Sequence, residues 1–141
     1  KINRDLVLDI MGTDIDARMV EIAKENAQKA GVASDITFKQ MRVQDLRSDK
    51  INGVIVSNPP YGERLSDDAG VTKLYAEMGE VLAPLKTWSK FILTSDENFE
   101  KKFGRQADKK RKLYNGTLKV DLYQFFGERV RRQATSEKGN I

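Results

Sequence analysis

The sequence contains no cysteine and no histidine. Without cysteine there is neither a disulfide framework nor a thiolate metal site, and the chain suits a reducing, cytoplasmic setting. Without histidine, imidazole zinc ligation and every His-dependent triad or proton relay are excluded, and no metal site is expected. The chemical inventory narrows to carboxylates, lysine, tyrosine, hydroxyls, amides and the backbone. No apolar run approaches the roughly 20 residues that cross a bilayer as a helix, so no membrane partner is expected. Nothing near Lys1 reads as a signal or transit peptide. What is present, in 141 residues, is 39% hydrophobic and 33% charged, the balance of a globular chain with room for a core. The net charge of +4 permits a phosphate-bearing partner without specifying one.

Strand and helix signals alternate along the chain. Residues 6–11 form an apolar run ending at Gly12 and read as a buried strand despite Asp9. Asp16 can cap a helix in which Met19, Val20, Ile22, Ala23, Ala27 and Ala30 recur at helical spacing until Gly31 supplies a left-handed stop. Residues 36–41 alternate and are rich in β-formers; residues 54–56 are continuously apolar and stop at two prolines, which predicts a buried strand. Leu74, Met78, Val81, Leu82 and Leu85 make one stripe of a helix over 71–85, followed by a strand over 90–94. Phe99 and Phe103 anchor a short helix ending at Gly104. Asn115-Gly116, set between residues 112–114 and 118–126, is a hairpin signal. The pattern predicts an α/β fold, a mostly parallel sheet with a C-terminal antiparallel hairpin, whose ligands bind beyond the carboxyl ends of the strands. After Gly127 the chain is polar and aperiodic, so residues 128–141 are expected to form a disordered tail.

The sharpest motif, Asn58-Pro59-Pro60-Tyr61, follows a strand directly and so falls at that ligand edge. Each proline fixes φ and lacks an N–H, so nearby carbonyls can point outward to receive a ligand's protons. A base amine is a poor nucleophile because its lone pair is delocalised into the ring. If the Asn58 amide oxygen and the Pro59 carbonyl each accept an amine proton, the nitrogen lone pair is turned toward an incoming methyl group. Tyr61 can stack on the base. Against this stands the plain alternative of a rigid strand-to-loop turn; the motif's position favours chemistry.

Asp14, in Gly12-Thr13-Asp14-Ile15-Asp16, can bind both hydroxyls of a ribose, or it can serve as a cap with Asp16. Asp45 could accept an adenine amino proton with Met41 packing on the ring, although a strand-end methionine is as readily a core residue and a loop aspartate a surface one. Lys101, Lys102, Arg105, Lys109, Lys110, Arg111 and Lys112 form a basic stretch that reads as a solvated face. Arg64, just past the Tyr61 turn, is the candidate phosphate contact by its position.

Taken together, the Gly12 to Asp16 segment, Glu25-Asn26-Ala27, the extended Asn58-Pro59-Pro60-Tyr61-Gly62-Glu63-Arg64-Leu65 and Tyr114-Asn115-Gly116 resemble the ribosomal RNA guanine-N2 methyltransferases that carry an RNA-binding THUMP domain. The resemblance implies a Rossmann-like methyltransferase fold, S-adenosyl-L-methionine as cofactor and ribosomal RNA as partner. It also implies a base site from Asn58 to Tyr61 and a ribose-binding acid at Asp14. Where family members often carry an acid, this sequence has Arg42, so Asp45 stands as the substitute contact to adenine. The family places a first strand and a glycine-rich loop upstream of the Asp14 strand, and the sequence has no equivalent. Residues 1–127 are therefore expected to be part of a catalytic domain, incomplete at its first strand. Its two exposed inner edges should leave a central gap, close on one another or drive self-association. The tetrapeptide alone is shared with adenine-N6 DNA and glutamine-N5 protein methyltransferases, which are the enzymatic alternatives. A module that binds RNA or protein without catalysis is the non-enzymatic one.

Overall fold

In the computed structural model, residues 5–60, 68–128 and 130–131 are described. The chain divides into two compact units, residues 1–46 and 47–141.

The first unit is a β-α-β unit: β1 (Ile10–Asp14), α1 (Ala17–Ala30) and β2 (Ile36–Gln40). The strands run parallel, with Ile10 opposite Ile36 and Asp14 opposite Gln40. The boundaries of α1 are set by local chemistry. Asp16 is extended and its carboxylate accepts the Arg18 amide at 2.9 Å, while Gly31 at φ 76° donates its N–H back to Ala27 and Gln28. A side chain at that φ would be strained, so the helix stops where glycine permits the reversal. The helix buries Val20 and Ala27, two turns apart on one face.

The second unit holds β3 (Val54–Ser57), α2 (Asp68–Leu82), β4 (Ser89–Thr94), α3 (Phe99–Phe103), β5 (Lys109–Asn115) and β6 (Leu118–Phe125). Its sheet order is β3-β4-β6-β5: β3 and β4 are parallel, and the hairpin is inserted so that β6 lies antiparallel between β4 and β5. The helix α2 presents Val71, Tyr75, Met78 and Leu82 to the core, which meets Ile92 of β4 and Val120, Tyr123 and Phe125 of β6. Phe99 is the hub. Its ring lies 5.0 Å from Tyr75, 4.9 Å from Phe103 and 4.8 Å from Tyr123. Such aromatic pairs add about 0.5–1.5 kcal/mol each beyond the area they bury. Gly79 lets α2 and α3 touch: a Cβ there would lie 2.0 Å from the Phe103 carbonyl oxygen.

Four expectations are corrected. The first strand runs from Ile10 to Asp14, not over 6–11, and its apolar side chains are exposed, Ile10 at 45% and Met11 at 48%. In β3, Val54 and Val56 are likewise exposed, and Val56 retains 79% of its surface. An apolar run fits a strand for burial but does not supply the surface that buries it. Among the described residues β1 pairs with β2 and β3 with β4, and β1 and β3 are not laddered to each other. The second helix ends at Leu82, and Leu85 is buried in the turn beyond it. In the hairpin, Asn115 pairs with Leu118, so the two-residue loop is Gly116-Thr117, with Gly116 at φ 65°. A left-handed first loop residue is the pattern of a II′ turn, which glycine alone adopts easily; the Asn-Gly pair is shifted by one from the expected position. The expected tail lies largely outside the described residues. Asn52, itself at φ 59°, receives the Val130 N–H at 3.0 Å and donates to the Val130 carbonyl at 2.6 Å.

Candidate active site

Of the candidates in the described residues, Asp14, Met41 and Asn58 lie at the carboxyl ends of strands, where the ligands of α/β sheets bind, and Asp45 lies in the turn that follows β2. In the first unit, parallel in-register pairing sets the ends of β1 and β2 side by side. The Met41 amide donates to the Asp14 carbonyl at 2.9 Å, and Gln40 Nε2 donates to the Ile15 carbonyl at 3.1 Å. Asp14 is exposed, with Oδ1 accepting the Asp16 amide at 2.8 Å. Met41 is half-buried. Asp45 closes a 3₁₀ turn (Val43–Asp45), and both its oxygens face Arg42: Nε donates to Oδ2 at 3.2 Å and an Nη to Oδ1 at 3.1 Å. The cap of α1 is Asp16 rather than Asp14, and its hydrogen bonds from Arg18 hold its carboxyl below the usual range. Asp14 and Met41 thus meet at one end of a two-stranded sheet, and Asp45 follows in the turn beyond β2.

In the second unit Asn58 leaves β3 exposed, Pro59 is buried and Pro60 half-buried. Tyr61 and Arg64 lie outside the described residues. Two side chains that the sequence motifs did not single out meet this turn. Tyr75 of α2, fully buried, donates its hydroxyl proton to the Pro60 carbonyl at 3.0 Å, and its oxygen is 2.9 Å from Thr94 Oγ1 at the end of β4. Thr94 Oγ1 also accepts the Asp96 amide at 3.1 Å. Asp96 is held in its own right, by Lys102 Nζ at 2.6 Å on one carboxylate oxygen and by the Asn98 amide at 2.8 Å on the other. The available signal was Tyr75's place on the α2 stripe with Val71 and Met78: a buried tyrosine hydroxyl needs a partner. Which partner it finds depends on a contact between distant parts of the chain.

The basic stretch is a solvent-exposed face, as expected, with Lys102 alone half-buried. Lys102 pairs with Asp96, Arg105 lies 5.4 Å above the Phe125 ring, and Lys110 reaches both Glu100 and the Tyr123 ring. Among the described residues no cluster of acids or other ligands could hold a metal, and no helix is long and apolar enough to cross a membrane.

An α/β sheet with an antiparallel C-terminal hairpin and a strand-end Asn-Pro-Pro turn defines a Rossmann-like methyltransferase fold. The chain belongs to the RMKL-like methyltransferase domain family, whose model matches residues 1–124. It is 53% identical over 136 residues to YpsC of Bacillus subtilis (strain 168), a candidate RNA methyltransferase, covering 96% of this chain and 35% of that protein. It is 37% identical over 121 residues to the ribosomal RNA large subunit methyltransferase K/L of Legionella pneumophila subsp. pneumophila (strain Philadelphia 1), covering 85% of this chain and 17% of that one. Among solved structures it is similar to SMU.472, a candidate methyltransferase crystallised with SAH, at 65% identity and a TM-score of 0.87, over 92% of this chain and 34% of that one. The chain thus spans about a third or less of the length of these relatives.

Proposed function

We propose that the protein carrying this chain is an S-adenosyl-L-methionine-dependent methyltransferase acting on an exocyclic base amine, guanine N2 of large-subunit ribosomal RNA, in the cytoplasm. The single observation that carries the reading is the Asn58-Pro59-Pro60 turn at the carboxyl end of β3, with the Asn58 amide exposed and the Pro60 carbonyl anchored from behind. Family membership and the naming of relatives for RNA methylation support it.

The cofactor would supply a methyl group on a sulfonium, a good leaving group, so most of the catalysis falls to positioning. The chain's residues fit such a partner. Asp14 offers an exposed carboxylate to vicinal hydroxyls, steadied on Oδ1 by the Asp16 amide. Asp45 offers an acceptor to an amino group, and Met41 a half-buried apolar surface beside Asp14. The Asn58 amide oxygen and the Pro59 carbonyl accept the two protons of the target amine and turn its lone pair toward the methyl group. No strong base is required, consistent with the absence of histidine. Tyr61 stacks on the base and Arg64 meets a phosphate.

A second reading is favoured by one relative, a Listeria monocytogenes structure described as a predicted N6-adenine-specific DNA methylase, 52% identical with a TM-score of 0.79. The test assays the full-length protein with labelled cofactor on unmodified ribosomal RNA and on duplex DNA, followed by nucleoside analysis. N2-methylguanosine from RNA is the expected product; N6-methyladenine from DNA would establish the second reading instead.

A further inference from the structure

The Tyr75 hydroxyl has one proton, and its oxygen lies 3.0 Å from the Pro60 carbonyl oxygen and 2.9 Å from Thr94 Oγ1. A carbonyl can only accept, so the Tyr75 proton goes to Pro60 and the Thr94 hydroxyl must supply its own proton to the Tyr75 oxygen. Thr94 Oγ1 in turn accepts the Asp96 N–H at 3.1 Å. The chain therefore has one direction, from the Asp96 amide through Thr94 and Tyr75 to Pro60. Every link but the last lies in rigid structure. Tyr75 and Thr94 are fully buried, and Asp96 is fixed by Lys102 and by the Tyr123 hydroxyl, which donates to its carbonyl at 3.2 Å. The last link ends on the turn that leaves β3. Chains of hydrogen bonds in a dry interior polarise one another, so a Tyr75 proton already receiving from Thr94 is a stronger donor to Pro60.

We propose that Tyr75 is a positioning residue for methyl transfer: through its hydroxyl, oriented by Thr94, it holds the Pro60 carbonyl and so sets where Asn58 and Pro59 present their oxygens to the target amine. The inference rests on the reading that Asn58 and Pro59 grip that amine. The tyrosine ring packs against Phe99 whether or not it carries an oxygen. A phenylalanine would fill the same core without the hydroxyl that bonds the turn. Two consecutive prolines stiffen the turn but give it no N–H with which to anchor itself, so its position is assigned from outside. Misplacement of a reacting group by about 1 Å can cost on the order of a hundredfold in rate.

The experiment uses the full-length protein with Tyr75→Phe, Thr94→Val, Thr94→Ser, the Phe/Val double variant and Asn58→Ala. Steady-state methylation of ribosomal RNA, affinity for S-adenosylhomocysteine and thermal melting are measured for each. Tyr75→Phe is expected to lower kcat about tenfold to a hundredfold with cofactor affinity unchanged. Thr94→Val should lower it in the same direction and Thr94→Ser restore it. The double variant should be no worse than the poorer single one, because the two groups act in one chain. Wild-type kcat in folded Tyr75→Phe overturns the proposal, as does a loss that tracks only the unfolded fraction in the melts. If Asn58→Ala is inactive while Tyr75→Phe is normal, the positioning role alone falls. If Asn58→Ala turns over normally, the amine-gripping reading falls and the positioning role with it.

Discussion

Asp14 Oδ1 accepts the backbone N–H of Asp16 at 2.8 Å, and Asp16 accepts the Arg18 amide at 2.9 Å to cap α1. The two aspartates therefore divide the labour that their spacing left open. Asp16 serves the helix, while Asp14 is steadied at the strand end with its carboxylate exposed. Asp14→Ala is expected to weaken S-adenosylhomocysteine binding about tenfold or more while changing saturated turnover much less, since a ribose contact is made alike in ground and transition states. Isothermal titration of the full-length variant checks this. An unchanged dissociation constant would reduce Asp14 to a turn former.

Asn58→Ala should leave melting and cofactor affinity near wild type, because the side chain is exposed. Turnover should fall by a factor of about a hundred or more, the usual cost of one lost contact aimed at the reacting group. Single-turnover methylation of unmodified ribosomal RNA measures it, and near-normal rates would remove Asn58 from the chemistry.

Features governed by near neighbours were legible in the sequence. The cap at Asp16, the stop at Gly31 and the short α3 between Asn98 and Gly104 each follow from residues within a turn of one another. The Asn-Pro-Pro turn was visible because proline is a strong local signal. Features governed by distant contacts were not legible. Val54 and Val56 carry the same apolar side chains whether or not another surface covers them. Lys90 sits in a β-strand pattern that allows a solvent-facing lysine, yet it is 3% exposed and its ammonium donates to the Leu85 carbonyl at 2.8 Å. Burial, reinforced by Arg105, pushes its pKa down. The Tyr75–Thr94 contact joins residues 19 positions apart on a helix and a strand, and only the packing of α2 on β4 creates it.

Gly79 tests that packing. In an exposed helix interior, glycine to alanine gains up to about 1 kcal/mol from helix propensity. Here the added methyl would lie 2.0 Å from the Phe103 carbonyl oxygen, a backbone atom that cannot step aside without moving α3. Overpacking of this kind costs about 1–3 kcal/mol and outweighs the gain. Gly79→Ala is expected to be net destabilising by about 1–2 kcal/mol in urea unfolding. Equal or greater stability would mean that α2 and α3 are not in close contact.

Tyr123 gives the fold a dependence on alkaline pH whose sign can be worked out. Its ring is fully buried in β6 and its hydroxyl donates to the Asp96 carbonyl at 3.2 Å. Burial, and then the nearby carboxylates of Asp121, Glu100, Asp96 and Glu97, push its pKa from 10.0 up to about 12. The folded state therefore holds the proton more tightly than the unfolded chain does. The resulting stabilisation is fully present below pH 10 and is lost as the pH rises toward 12. Removing the hydroxyl in Tyr123→Phe should cost about 1 kcal/mol at neutral pH, the net worth of one buried hydrogen bond. The Asp96 carbonyl keeps the Phe99 amide at 3.1 Å, so it is not left unsatisfied. Lysines also titrate in this range, so the informative quantity is the stability difference between wild type and Tyr123→Phe, measured by urea unfolding at a series of pH values. That difference is expected to fall as the pH passes from 10 to 12. A difference that stays constant across the window would show that the Tyr123 hydroxyl ionises in the folded protein as readily as in water.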